Sequence, residues 1–444
     1  MKSVTEWFEM LGSWVWGPVM LVLLVGTGLY LTIRMGGMQF LLLPKALKLA
    51  FSRQTNIGEP GEISPFQALM TAMAATIGTG NIAGVATAMV MGGPGAIFWM
   101  WLSAMLGMAT KYAEAYLAVY FRVMDDQGRV SGGPMYYIER GLNMKWLAII
   151  FAICGTVAAF GAGCSVQSNS VAQVVERNFG LMPWVTGILL SSLTGLVLIG
   201  GLKRIAHVIS FIVPIMAIFY VGGGLLIMVN HHEMVFPALT LIVQDAFTGE
   251  AVAGGAIGAV IRYGISRGIF SNEAGLGTAP MAAASARTTK PAEQGLISMT
   301  GTFLDTIIVC SITGIVLVMA GQYETGLTGA ALTAHSFDML LPGFGTWVIT
   351  IGLIFFAYST ILGWSFYGEK CAQYLIGERA IKPYRVLYTA MVFVGTMITL
   401  DLVWAISDVF NGLMAFPNLI GLLLLSGLVI KNNPLKNKPF KTQS

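Results

Sequence analysis

Apolar residues in this 444-residue chain run in stretches of roughly twenty or more, separated by short clusters of polar, Gly or Pro residues. Runs of that length cross a bilayer core as helices. Closing each run at its polar cluster gives eleven spans, at about 14–33, 63–92, 95–121, 145–174, 182–202, 206–230, 250–285, 295–321, 345–374, 385–407 and 409–431. The predicted fold class is an all-α polytopic membrane protein. Two of the spans are interrupted in their middles. Ala75-Thr76-Ile77-Gly78-Thr79-Gly80-Asn81 breaks the second, and the stretch from Arg262 to Gly277 breaks the seventh. Each Gly inside a helix costs about 1 kcal/mol relative to Ala, so a plain span has no use for three or more together.

With the first span set aside, spans 2–6 and 7–11 form two blocks of five, each opening on its broken member. An odd block length sends the second block into the membrane from the opposite face. Inverted repeats with discontinuous helices at matching positions are the pattern of secondary transporters. The chain divides accordingly into an extra N-terminal helix and connector (1–62), a first repeat (63–230), a second repeat (231–431) and a tail (432–444). Close helix packing through small residues accounts for Gly78 or Gly275 alone, but not for Thr79, Asn81, Ser271, Asn272 and Glu273 beside them.

Composition agrees on the solvent: 56% of residues are hydrophobic and 10% charged, against roughly 25% charged in soluble domains. Of the 25 Lys and Arg, 20 fall in alternate loops and two in the others; Lys111, Arg262 and Arg267 lie within spans. By the positive-inside rule the basic loops are cytoplasmic, which puts the N-terminus outside and the C-terminus inside the cell membrane. The net charge of +4 itself says little about partners and implies no nucleic acid; the apolar runs and scarce charge make the lipid bilayer the expected surroundings. Met1 to Gly12 carries one Lys and two Glu without a short apolar core and cleavage site, so no signal peptide is expected. Cys154, Cys164, Cys310 and Cys371 lie in or beside apolar runs without metal-ligand spacing and read as packing residues, and His231-His232 sits in an external loop.

Backbone groups freed at mid-depth need protein or water as partners. Freed N–H groups at a half-helix start suit a carboxylate, and freed C=O groups suit a small cation. In the ninth span Ser359 and Thr360 are adjacent hydroxyls able to complete an oxygen cage, with Trp364 on the face of Thr360. In the fourth, Gln167 shares a face with Phe160 and offers a donor and an acceptor, for a substrate or for a neighbouring helix. Ionisable residues at depth are functional by default. Lys111 and Glu114, at i and i+3, are expected to pair, and Arg262, Arg267 and Glu273 flank the second break. Asp305 and Asp401 have no local partner and suit a proton relay or a helix end equally.

The segments Gly78-Thr79-Gly80-Asn81-Ile82-Ala83-Gly84, Gly132-Gly133-Pro134-Met135-Tyr136-Tyr137-Ile138 and Phe270 through Pro280 resemble the alanine or glycine:cation symporter family, with the likeness running from about residue 14 to 430. The resemblance implies a LeuT-type fold with one added N-terminal helix, sodium as coupling ion with no other cofactor, and alanine or glycine as substrate. It implies sodium held by carbonyls near Ala74 and Ile77 and by Ser359 and Thr360. It places the substrate carboxylate against Thr79, Gly80 and Asn81, and the amino group near Ile269 and Phe270 beside Ser271. Gln167, Phe270 and Trp364 would then close the pocket.

The sequence is thus read as a sodium-coupled importer of alanine, glycine or both, working by alternating access. The alternative is a proton-coupled or glutamine-carrying machine of the same fold. An enzyme is disfavoured, since HExxH, GxSxG and His–carboxylate clusters are missing from the spans. A channel would need charge rings or a repeated filter loop, and the sequence has neither.

Overall fold

A computed structural model describes residues 2–52, 58–124, 129–248, 257–398 and 400–436. Arg53, the start of the seventh span at 250–256, Lys438, Lys441 and the side chain of Asp401 lie outside the described part. Nearly all the described chain is helical, and its one sheet is a two-stranded ribbon pairing Val123–Met124 with Val130–Ser131. By length and composition six unbroken helical stretches can cross a bilayer, and the bent pair Pro65–Thr76 and Gly80–Gly92 makes a seventh. Shorter apolar helices such as Pro183–Ile199 fill out the bundle. Large apolar side chains including Val22, Ile199, Phe211 and Ile218 are exposed on the outside of the bundle, as lipid-facing residues must be.

The order of elements repeats. Helix Ala96–Tyr120 follows the first broken helix, then come short Pro134–Leu142, long Lys145–Phe179, Pro183–Ile199 and Gly201–Asn230. The second broken helix, Ile257–Asn272 and Ala279–Ala284, is followed by Pro291–Ala320, short Gly329–Leu340, Gly345–Ile376, Ile381–Gly395 and Leu400–Lys431. The short helices are amphipathic surface elements with a polar face, which is why span reading passed over them. The same holds for Lys2–Val15, Leu43–Phe51 and His232–Thr248. The last two spans differ from expectation. The connection expected at residue 408 falls instead before Leu400, and the final helix runs through Asp408 and Pro417 to Lys431. A half-buried Asp within a helix, such as Asp408, is no terminus when the helix continues on both sides of it.

Local chemistry places both breaks. Ser64 starts the first broken helix with a capping box: its hydroxyl accepts from the Gln67 amide and its own amide donates to Gln67 Oε1, ahead of Pro65 at the first helical position. The helix leaves α geometry at Ile77, with ψ 95°, and resumes through a wide turn at Gly80–Gly84 with a 51° bend. Gly78 is required by approach: a Cβ there would stand 2.6 Å from Thr360 Oγ1. The second break is a left-handed sequence, with φ of 55° at Glu273, 91° at Gly275 and 84° at Gly277. A non-glycine residue in that region stores strain that the surroundings must hold.

Helix Ala96–Tyr120 packs along both halves of the second broken helix, while Gly345–Ile376 packs on Pro65–Thr76 and on Lys145–Phe160. At Gly363 a Cβ would lie 2.9 Å from the Ala75 amide, so the long helix touches the first broken helix backbone to backbone just before its break.

Gly277→Ala is expected to cost about 1–3 kcal/mol, because the residue has φ 84° and a Cβ would fall 2.7 Å from Pro134 Cγ. A lowered thermal unfolding midpoint of the detergent-solubilised protein would show this.

Candidate substrate and cation site

The two breaks face each other across a small enclosed cavity of about 20 Å³. Thr79 and Gly80 of the first break, Gln167, Phe270, Trp364 and Thr360 all line it, as do Glu273 and Asn411. The volume takes about one water, so even the zwitterion of glycine needs the walls to part. Of the residues expected at a substrate site, the structure brings Thr79, Gly80, Gln167, Phe270 and Trp364 to one wall-to-wall space. Gln167 Nε2 donates to Ala162 O at 3.0 Å and its Oε1 lies 3.5 Å from the Thr79 amide, so the side chain is docked on the first break. The Thr79 hydroxyl is buried without a hydrogen-bond partner, as is Asn411 Oδ1. Asn411 was missed in the sequence; its signal was an isolated amide in the apolar run 409–431.

Asn81 and Ser271 are not on that wall but behind it, where they meet Asp305. Asn81 Nδ2 donates to Asp305 Oδ1 at 2.7 Å, and Ser271 Oγ donates to Asp305 Oδ2 at 2.9 Å. Thr306 Oγ1 adds a third bond at 2.8 Å and in turn accepts from Asn272 Nδ2. Asp305 therefore has a full set of partners, contrary to the reading of an isolated group. Its position on the wide-turn stretch Phe303–Cys310 of the neighbouring helix brings it to both breaks at once. Asn81 Oδ1 also accepts the Gly78 amide at 2.9 Å. Ile269 and Phe270 sit near the end of Ile257–Asn272, the first half of the second broken helix, and the Ile269 carbonyl accepts the Glu273 amide at 2.8 Å. That contact takes up one of the oxygens expected to receive a substrate amino group.

The expected cation ligands converge in part. Thr360 Oγ1 lies 2.9 Å from Phe356 O one turn back in its own helix, 3.0 Å from Ala74 O and 3.3 Å from Ile77 O, the last two being carbonyls released where the first broken helix ends. Three oxygens around one point are the beginning of a cage for a hard cation, which prefers carbonyl and hydroxyl oxygen. Ser359 points elsewhere: its hydroxyl donates to Phe356 O at 2.9 Å and faces Met216 Sδ at 3.4 Å. In this conformation a single hydroxyl of the pair serves the cluster, and Ser359 needs a rotamer change to join it.

Lys111 and Glu114 do not pair. Lys111 Nζ is buried without a hydrogen-bond partner among the described residues, whereas Glu114 Oε1 accepts from the Gly275 amide (3.1 Å), the Gly277 amide (3.2 Å) and Asn418 Nδ2 (2.7 Å). Freed amides of the second break sit fixed in front of the carboxylate, a better-ordered partner than a flexible ammonium one turn away. Tyr137 bonds Asn418 in turn, which gives the Tyr of the Gly132–Ile138 motif a place. Glu273 bonds Thr278 at 2.5 Å and makes no ion pair with Arg262 or Arg267. Those guanidinium groups lie over the rings of Tyr263 and Phe270.

Phe270 also lines two larger cavities, of about 330 and 300 Å³, on the side of the break toward Arg262 and Arg267. Its ring stacks obliquely on Trp404 with centroids 5.8 Å apart. Thr79, Gly80 and Phe270 line both the small cavity and the 300 Å³ one, so these residues stand between the two spaces.

Two helix breaks around a small polar cavity, with a nascent oxygen cage at one of them, define a secondary transporter of the broken-helix type. The crystal structure of MhsT in complex with L-phenylalanine has the same fold, with a TM-score of 0.58 at 13% identity, covering 85% of this chain and 99% of that one; the fold is LeuT-like. The chain belongs to the sodium:alanine symporter family, whose profile matches residues 1–439. It is 56% identical over 440 residues to the sodium/alanine symporter AgcS of Methanococcus maripaludis, covering 97% of both chains. It is also 39% identical over 421 residues to a probable sodium/glutamine symporter, GlnT, of Bacillus subtilis, covering 94% of this chain and 87% of that one.

Glu114→Ala is expected to strip three donors of their acceptor and to cost about 3–5 kcal/mol. Glu114→Gln, which keeps one acceptor oxygen, should cost less than half as much. Thermal unfolding of both variants beside the parent checks the order.

Proposed function

We propose that the protein imports alanine, glycine or both across the cell membrane by sodium symport, with no cofactor beyond the coupling ion. The observation that carries this reading is the convergence of Thr360 Oγ1 on Ala74 O and Ile77 O at the edge of a cavity floored by the first break. Sodium is the hard cation that such oxygens would take. The substrate carboxylate would lie against the freed backbone of Thr79 and Gly80, with Gln167 beside it. Its amino group would face the end of the first half-helix at Phe270, with Trp364 bounding the side chain. Asn81 and Ser271 would act through Asp305, which holds the two breaks at a fixed separation. The repeats 63–230 and 231–431 would move against each other, with the N-terminus outside and the C-terminus cytoplasmic, as the basic loops require.

The 56% identical relative AgcS, a sodium/alanine symporter, favours a short side chain over a larger amide. Ion binding would order the first break and so raise affinity for the amino acid, a coupling that works equally in reverse.

Thr360→Ala is expected to raise the sodium concentration for half-maximal alanine uptake by about tenfold or more, with Thr360→Ser near the parent value. Unchanged sodium activation in Thr360→Ala removes the cation site from this position. Proteoliposomes given a sodium or a proton gradient, with glycine, D-alanine, serine and glutamine as competitors, test the rest. Sodium alone should drive uptake, and glycine should compete while glutamine should not; a proton-driven or glutamine-sensitive flux would favour the alternative.

A further inference from the structure

The ends of the two broken helices on the basic face are stitched together. The Glu62 and Ile63 amides both donate to Ser285 O, at 2.9 and 3.2 Å; the Arg287 amide donates to Ile63 O at 2.8 Å, and the Thr288 amide to Pro60 O at 3.2 Å. Ile63 and Ala286 form a parallel β-bridge. The stitch therefore joins the approach to Pro65–Thr76 to the exit from Ala279–Ala284. Arg122, just past helix Ala96–Tyr120, caps it. Its Nη1 donates to Ala284 O at 2.9 Å and Ala286 O at 2.8 Å, and its Nη2 to Pro60 O at 3.1 Å and to Thr288 O. Four carbonyl acceptors from two separate segments occupy one guanidinium, a planar fork of fixed donors that a lysine cannot reproduce. The glycines of the Gly132-Gly133-Pro134 motif complete the seat. A Cβ on Gly132 would meet Ala284 Cβ at 2.5 Å, and one on Gly133 would meet Met281 Cγ at 2.7 Å.

We propose that Arg122 is a positioning residue of the transport cycle, which holds the pathway shut on the basic face and must release its carbonyls for the site to open there. The inference rests on the symport reading only in that alternating access requires such an opening. Geometry supports the closing role. The two larger cavities lie on the far side of Phe270, while on the Arg122 side the inner segments pack on each other and on their neighbours. Parting Pro65–Thr76 from Ala279–Ala284 breaks every contact of the stitch.

Cys371 is a native reporter. It is fully buried, with its Sγ 3.8 Å from Met281 Sδ and packed on its other side against Gly155, so moving the Met281 segment uncovers it. Alkylation of Cys371 by a membrane-impermeant maleimide, applied to the basic face of oriented vesicles, is followed by mass spectrometry in the parent, Arg122→Lys and Gly61→Ala. Gly61 loosens the stitch from the other side, since it has φ 140° and a Cβ would fall 2.4 Å from Ala286 O. Both variants are expected to label Cys371 about tenfold faster, while buried Cys164 stays unlabelled as in the parent. Unchanged Cys371 labelling in folded variants overturns the proposal. So does Cys164 labelling that rises in parallel, or failure of both variants to fold, since each makes the network a fold determinant instead of a latch. If the parent shows no sodium-driven alanine uptake, the symport reading falls, yet faster Cys371 labelling still upholds the latch.

Discussion

A backbone amide or carbonyl released inside a bilayer has no water to fall back on, and each one left alone costs several kcal/mol. This chain releases such groups twice, at Ile77–Asn81 and at Glu273–Thr278, and the rest of the interior is arranged to receive them. Asn81 takes the Gly78 amide, Gln167 approaches the Thr79 amide, Glu114 takes the amides of Gly275 and Gly277, and Thr360 stands over the carbonyls of Ala74 and Ile77. The buried polar residues are therefore of two kinds. Some, like Glu114 and Asn418, take the freed backbone groups of a break and fix its shape, although Glu114 Oε2 itself has no partner among the described residues. Others, like Thr79 and Asn411, keep an unsatisfied oxygen facing the cavity, and there a ligand has something to gain.

Asp305 ties the two breaks into one unit. Its carboxylate takes Asn81 from the first and Ser271 from the second, so neither break can shift without disturbing the other. Small movements in such a network become all-or-none, because a buried polar group exchanges one full set of partners for another and does not pass through a half-bonded state. This gives a physical route by which an ion bound at Ala74, Ile77 and Thr360 is felt at the end of the first half of the second broken helix, where the amino acid would complete the site.

Much of this was legible in the sequence, for a definite reason. A cluster of Gly, Thr and Asn in the middle of an apolar run is a local signal, so both breaks, and the shared face of Thr360 and Trp364, could be read from neighbours within a few residues; Thr79, Gly80 and Phe270 are placed at a substrate site through the family resemblance, and they do line one cavity. What could not be read depends on partners distant in the chain. Asp305 meets Asn81 across 224 residues and Glu114 meets Asn418 across 304. Spacing alone assigned Glu114 to Lys111, one helical turn away, because i,i+3 adjacency is visible in a sequence and the fixed amides of a distant break are not. Ser359 shows the same limit on a smaller scale: adjacency to Thr360 says nothing of which rotamer it takes, and Met216 lies opposite it.

The two sides of the cavity are closed by different physics, and the difference bears on how the cycle is ordered. Toward Arg262 and Arg267 the barrier is thin: Thr79, Gly80 and Phe270 border the small cavity and a large one alike, with Phe270 packed on Trp404. Toward the basic face it is four backbone hydrogen bonds, two of which make up a β-bridge, and a guanidinium with four acceptors. A thin door responds to small energies and to thermal motion, whereas a thick one opens only when something repays many hydrogen bonds at once. In the proposed cycle, binding of ion and amino acid would supply that energy, by completing a cage at Thr360 and satisfying the open oxygens of Thr79 and Asn411. A carrier with such unequal gates admits ligands through the thin side freely and leaks little through the thick side while empty, and tight coupling of the two solutes requires that asymmetry.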